Sequence, residues 1–191
     1  MPALDPSGYG YLPITEIEAG LTAGFDCGKP NLNDFLHQQA LLLHQARLSF
    51  TSVLFHRDYE GIVGFFTLAN DAIPLSDSEK FDLGLNIEVV LQSFPAVKIC
   101  RLGIALPLQR DGVGSALMNL LLGDILAGDT FSASRLVVVD ADPDEKVIKY
   151  YEKNGFEKSL WAEKSTKNHS GIRRGASVKM LRDVMRNDIL A

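Results

Sequence analysis

The stretch Val97–Ser115, V-K-I-C-R-L-G-I-A-L-P-L-Q-R-D-G-V-G-S, decides how this chain is read. It opens on an apolar, β-branched run suited to a buried strand, crosses the short loop Q-R-D-G-V-G, and continues into S-A-L-M-N-L-L-L, a helical start. Gly112 and Gly114 lack Cβ atoms, so the loop backbone is free to turn its N–H groups toward a ligand. The helix that follows brings its positive end to the same place. A strand feeding a Gly-containing loop at a helix N-terminus is an anion site suited to a pyrophosphate. Two familiar phosphate loops are excluded. There is no G-x-x-x-x-G-K-[ST], and Q-R-D-G-V-G lacks the first glycine of the dinucleotide fingerprint.

Around this stretch the composition describes one ordinary globular domain. With 191 residues, 46% hydrophobic and 23% charged, the chain is long enough for one well-buried core and short for two. One domain over 1–191 is expected, with a loose arm at 1–10 and a tail at 183–191. Cys27 and Cys100 are far apart and outside any metal-ligand spacing, which predicts reduced thiols and a cytoplasmic setting. M-P-A-L-D-P-S-G-Y-G has no signal-peptide pattern, and no apolar run approaches membrane-spanning length. No metal site is expected: His37 and His44 lie on roughly one helical face with no third ligand spaced to them.

The charge is uneven. Residues 157–191 hold eight basic and four acidic side chains, giving +4, so the rest of a chain at −5 carries −9. Such a basic end is either a polyanion contact, through Arg173, Arg174 and Lys179, or a solvated surface.

Taken in order, Tyr11–Glu18 alternates as a first strand with Pro13 at an edge position. Phe25–Pro30 is a turn cluster, Asn31 a helix cap, and L-N-D-F-L-H-Q-Q-A-L-L-L-H-Q-A-R a helix. Phe50–Phe55 and Ile62–Leu68 form a hairpin. Asn70–Gln92 holds turn residues and one short helix or strand, and its length suggests a lid or binding loop. Ser115–Ala127 is a helix closed by Gly128, and Arg135–Asp140 a buried strand. Pro143 opens a helix that stops at Asn154-Gly155. Phe156–Trp161 and Ala176–Leu181 read as the final strands, joined by an exposed polar turn. No repeat or low-complexity tract interrupts the pattern.

Two motifs carry a resemblance. Q-R-D-G-V-G resembles the Q/R-x-x-G-x-G/A acyl-CoA loop of the GNAT acetyltransferase superfamily. About forty residues on, behind a V-V-V-D strand, K-V-I-K-Y-Y-E-K-N-G-F is similar to that superfamily's A-x-x-[FY]-Y-x-x-x-G-F signature, with Val147 for alanine and Tyr150 for the commoner phenylalanine. Three further stretches resemble the toxin-type GNATs of bacterial toxin–antitoxin pairs: Phe25–Leu36 (F-D-C-G-K-P-N-L-N-D-F-L), G-I-V-G-F-F-T-L, and R-L-G-I-A-L before the loop. Gly103 and Leu106 depart from the usual Ala and Asp, and the acidic body departs from the basic faces of such toxins.

The resemblance implies an α/β (α+β) fold: a single GNAT-like domain whose mixed, mostly antiparallel sheet of six to seven strands is flanked by helices. It implies acetyl transfer from acetyl-CoA to the α-amine of an aminoacyl-tRNA, with a cognate antitoxin as partner and a homodimer among the possible assemblies. The cofactor would be held by Leu102, Gly103 and Ile104, where the family's strand splays to meet pantetheine, and by Gln109, Arg110, Asp111, Gly112, Val113, Gly114, Ser115 and Ala116. Tyr151 is the candidate acid for the departing sulfur, and Asn70, Arg101, Arg173 and Arg174 are candidate substrate contacts. The central strand carries no carboxylate, which favours an α-amine near pKa ~7.7–8.0 over a lysine near ~10.4 as acceptor. Two other readings stay open: acetylation of a small-molecule or protein amine with Asn70–Gln92 forming its pocket, and a non-catalytic acyl-CoA binder.

Overall fold

The hairpin Phe50–His56 (β2) and Tyr59–Ile73 (β3) starts a seven-stranded sheet in the computed structural model, which describes residues 4–85, 91–128, 133–168 and 177–186. The other strands are Tyr9–Pro13 (β1), Phe94–Ile104 (β4), Leu136–Ala141 (β5), Glu157–Lys158 (β6) and Val178–Asp183 (β7). Their order is β1-β2-β3-β4-β5-β7-β6, a mixed sheet with helices between its strands, as expected. Residue contacts gather the chain into two compact units, 1–69 with 99–121 and 70–98 with 122–191. No helix among the described residues is long and apolar enough to cross a membrane.

In the first unit, β1 pairs antiparallel with β2 from Tyr9↔His56 to Pro13↔Ser52, and β2 with β3 from Phe50↔Leu68 to Leu54↔Gly64. Val53, Leu54, Val63, Phe65 and Phe66 are each at most 1% exposed, so this hairpin is core on both faces. One helical segment crosses it: Pro30–Asp34 (α1), a π-turn at Phe35–Gln39 and Ala40–Gln45 (α2). Phe35 stacks on Phe65, and Phe25 meets the same ring edge-on. The helix Val113–Ala127 (α4) begins in this unit and buries Val113, Leu117, Met118 and Leu121, one helical stripe.

In the second unit, β5 pairs antiparallel with β7 from Leu136↔Asp183 to Ala141↔Val178, and β6 pairs with β7 through Glu157↔Leu181. Ile73, Leu75, Phe94, Leu136, Val138 and Leu181 form its core. Its helices are Asp77–Asp82 (α3), Glu145–Lys153 (α5) and Leu160–Asn168 (α6).

Several expectations shift. The first strand stops at Pro13, and Ile14–Glu16 is a 3₁₀ turn. Asn31 is not the cap; Pro30 takes the first helical position after Lys29. Pro143 precedes the cap, which is Asp144 accepting from the Lys146 N–H. β3 runs on to Ile73 because Ile73 is buried in the core and Asp71 is met by Lys179 at 3.9 Å, so the polar A-N-D-A stays in the ladder. Phe156–Trp161 is not a strand beyond Glu157–Lys158, and the polar stretch after it starts as a helix. The buried carboxylate of Glu79 accepts from the N–H groups of Leu160 (2.8 Å) and Trp161 (3.2 Å), and Ser159 Oγ from that of Ala162. These bonds satisfy the helix's orphan donors from outside its own sequence.

Candidate functional site

The Gln109–Ser115 loop takes a shape that only its backbone conformation explains. After a 3₁₀ turn at Leu106–Leu108, Arg110 has φ +74 and Gly112 φ +84, while Asp111 between them stays at negative φ. Alternation of this kind turns successive N–H groups to one side, making a concave cradle for an anion. Left-handed φ at Arg110 costs about 1–2 kcal/mol. The amides of Arg110, Asp111, Gly112 and Val113 have no acceptor among the described residues. Those of Gln109, Ser115 and Ala116 are spent, the first on Leu106 O and the others on Gly112 O at 3.0 Å. Four amides at the head of α4 are thus left without a backbone acceptor among the described residues. A Cβ placed at Gly112 would meet nothing within 4 Å, so the space before it is open. This fits a pyrophosphate.

The Gln109 side chain is engaged within the protein. Its Nε2 donates to Cys27 O (2.8 Å) and Ile104 O (2.9 Å), so the loop is tied to the turn Asp26–Lys29. Leu106 N donates to Asp26 O at 2.9 Å, closing a second tie. The turn is itself knotted. Asn33 Nδ2 and Gly28 N both donate to Asp26 Oδ1 at 2.7 Å, and Asn33 Oδ1 accepts from Cys27 N at 3.0 Å. The Gly28 and Asn33 bonds hold the Asp26 carboxyl below the usual carboxylate range. Burial pushes the Cys27 thiol up, and Cys27 Sγ donates to Asn33 Oδ1 at 3.1 Å. The stretch Phe25–Leu36 thus buttresses the Gly loop, a role that no spacing in the sequence signals.

On β4, Gly103 is where bulk is forbidden. A Cβ there would lie 2.7 Å from the Phe65 ring, which gives the departure from alanine a steric reason. Ile104 O is occupied by Gln109, Ala105 N donates to Val63 O, and Leu102 is half-buried. Arg101 is exposed, with its guanidinium 5.3 Å over the Phe35 ring and donating to Cys100 O. His37 bonds Phe25 O, and His44 Nδ1 accepts from Thr51 N, so both histidines are engaged in the fold.

In the second unit, α5 presents two neighbouring phenols. Tyr151 is 7% exposed, its ring edge-on to Phe156 (5.3 Å) and Tyr150 (5.1 Å). Desolvation pushes its pKa up to about 12; that of Tyr150 is also raised, by burial and by Tyr151. Both are fully protonated at neutral pH. The helix ends in a tight turn at Gly155, φ +78, with Asn154 N and Phe156 N each donating to Tyr151 O at 3.0 Å.

Among the described residues of the basic end, several cations are engaged. Lys179 is paired with Asp140 (3.3 Å) and Asp71 (3.9 Å), Arg186 with Glu157, and Arg182 is buried. Burial works against the charge of Asp140, yet Lys98 and Lys179 hold its carboxyl below the ordinary value. Asn70 is exposed on β3, and Arg173 and Arg174 lie outside the described residues. No group of side chains among the described residues is arranged to hold a metal ion. A cavity of about 590 Å³ in this unit is lined by Glu79, Asp82 and Leu83 of the Asn70–Gln92 segment and by Glu157, Leu160 and Arg186.

No protein-family model matches the chain, and no curated protein does. Solved structures do. A bacterial toxin aligns over 92% of this chain and 90% of its own, at TM-score 0.70 and 19% identity. A tyrosine-to-phenylalanine mutant of KacT aligns over 93% and 95%, also at 0.70 and 19%. AtaT complexed with acetyl-methionyl-tRNAfMet aligns over 89% and 93%, at 0.64 and 22%. The chain shares the fold of these toxins.

Proposed function

We propose that this chain is a GNAT-type N-acetyltransferase that moves an acetyl group from acetyl-CoA to the α-amine of an aminoacyl-tRNA, acting as a toxin with a cognate antitoxin. The observation that carries this reading is the run of four amides, Arg110 to Val113, that meet no acceptor among the described residues and lie around two left-handed residues at the head of α4. It is what a diphosphate requires. The fold adds support, since AtaT, of the same fold, has been solved with acetyl-CoA, with its antitoxin AtaR and with an acetylated aminoacyl-tRNA.

In this reading acetyl-CoA supplies a thioester carbonyl, and the chain supplies position and charge. The Arg110–Val113 amides hold the diphosphate, and the dipole of the fifteen-residue α4 adds to them. Gln109 holds the loop rather than the ligand. In the resemblance that motivates this reading, the Leu102–Gly103 backbone of β4 would meet the pantetheine arm and Tyr151 would donate to the departing sulfur. With its pKa up to about 12, the phenol keeps its proton in the resting enzyme, but handing it fully to a thiolate of conjugate acid near ~8.5 is uphill. It therefore acts chiefly as a donor to the developing charge, while the attacking amine, once bonded to carbon, releases the proton that ends on sulfur. No carboxylate stands on β4 to deprotonate the acceptor, and an α-amine near pKa ~7.7–8.0 needs little help. Arg101, exposed and held over Phe35, is the candidate contact for a phosphate of the acceptor end.

A second reading has its own observation. The 590 Å³ cavity, with Glu79, Asp82 and Glu157 beside Lys158 and Arg186 on its wall, suits a small polar amine. Labelled acetyl-CoA offered to total aminoacyl-tRNA beside a panel of free amines decides between them. Label on the tRNA, with matching release of free thiol, is the expected result; label on free amines alone overturns the toxin reading. Binding of acetyl-CoA without thiol release for any acceptor leaves a non-catalytic binder.

A further inference from the structure

The second unit contains a buried cation that the reaction above does not use. Arg182 is the penultimate residue of β7, opposite Val137 of β5, and is 6% exposed. An ionised guanidinium in such a place is costly unless its donors are met. Its NH1 donates to Asn154 O, the C-cap carbonyl of α5. That is the negative end of the helix, where the macrodipole and the last carbonyls favour a cation. The guanidinium also fills the space beside Gly155, so any side chain there would collide with it.

What this grip controls is the last turn of α5. Asn154 is 7% exposed, its Nδ2 donates to Tyr150 O at 2.7 Å, and its N–H is shared between Tyr150 O and Tyr151 O. Phe156 N donates to Tyr151 O, and the Phe156 ring packs edge-on against the Tyr151 ring. Asn154, Gly155 and Phe156 therefore fix both the carbonyl and the ring of Tyr151, and Arg182 fixes them.

We infer that Arg182 is a positioning residue for Tyr151: through Asn154 and the Gly155 turn it sets where the phenol stands. The inference rests on the reading of Tyr151 as the donor to sulfur. A phenol displaced by a fraction of an ångström keeps its pKa and its protein fold but loses alignment, and such misplacement costs roughly ten- to a hundredfold in rate. The expected signature is a loss in kcat with acetyl-CoA affinity unchanged.

The test is a double-mutant cycle on the full-length chain, read as acetyl transfer from labelled acetyl-CoA at saturating cofactor. Arg182→Met keeps the length and packing, and Arg182→Lys restores a cation able to reach one carbonyl. Arg182→Met is expected to lower kcat at least tenfold, Arg182→Lys to recover part of it, and neither to change acetyl-CoA affinity. In a Tyr151→Phe background Arg182→Met is expected to add almost nothing, because the group it aligns no longer donates. If Arg182→Met does not fold, Arg182→Lys carries the same cycle. A full-sized further loss on top of an impaired Tyr151→Phe overturns the positioning role alone, as does an Arg182→Met enzyme of unchanged kcat. A fully active Tyr151→Phe overturns the Tyr151 reading and this inference with it.

Discussion

The loop at Arg110–Val113 and the helix end at Tyr151–Phe156 are built on opposite principles. The loop is exposed from Arg110 to Gly112, strained at Arg110, and leaves four amides without an acceptor among the described residues. The helix end is buried, and its backbone groups are bonded to one another and to Arg182. A surface meant to receive a charged group has to keep donors unspent. A side chain meant to meet one reacting atom has to be held by everything around it. Mutations should therefore separate cleanly, with loop changes reading out in affinity and helix-end changes in turnover and stability.

The largest effect is expected at Gly112. Its φ of +84 is closed to β-branched residues, so Gly112→Val should reshape the cradle and lower acetyl-CoA affinity by more than a hundredfold, about 3 kcal/mol, while the melting temperature moves little. Calorimetry with acetyl-CoA checks this, and undiminished affinity would remove the loop from the site. Gly114→Val, in the first turn of α4 and without positive φ, should cost less.

Next comes Tyr151→Phe, expected to lower turnover by about 10² with acetyl-CoA affinity preserved, the lower end for a positioned donor because burial weakens the phenol as an acid. Tyr150→Phe should be nearly silent. A dead Tyr150→Phe beside an active Tyr151→Phe exchanges their roles.

Alkali probes the buried side of the comparison. Tyr151 has a folded pKa raised from 10.0 to about 12, so the unfolded chain loses this proton first. The stability that the neutral phenol contributes is whole below pH 10 and lost as pH climbs from there to about 12, on the order of 2–3 kcal/mol. Denaturant unfolding from pH 9 to 11.5 should show this slope, and Tyr151→Phe should reduce it to the part that the likewise raised Tyr150 contributes. An unchanged slope in the variant would place the phenol in water.

The smallest effect is Gln109→Ala. Loss of its two bonds to Cys27 and Ile104 loosens the cradle without touching its amides, for an expected affinity loss near tenfold, about 1.4 kcal/mol. Retained affinity would show that the buttress is dispensable.

Much of this was legible in one dimension. The apolar run of β4, the glycines after it and the stripe of α4 are local patterns, and local patterns survive because strand and helix periods follow from backbone geometry alone. The Y-Y-E-K-N-G-F helix end reads for the same reason, since a left-handed stop needs glycine. The misreadings share a cause as well. Lys179 looked like a free cation and is paired with two aspartates on other strands; Phe156–Trp161 looked like a strand and becomes a helix whose first N–H groups are met by Glu79. Nothing in the sequence around Gln109 signals that its side chain serves Cys27 and Ile104.

Sequence by itself determined the fold class, the place of the glycine loop before α4 and the two tyrosines worth testing, because each rests on residues within a few positions of one another. Tertiary structure alone decided which donors are spent and which remain, which tyrosine is the more buried, and that a β7 arginine grips the end of α5. Hydrogen bonds between residues 82 positions apart, as from Gln109 to Cys27, or 28 apart, as from Arg182 to Asn154, exist only once the core has brought their strands and turns together.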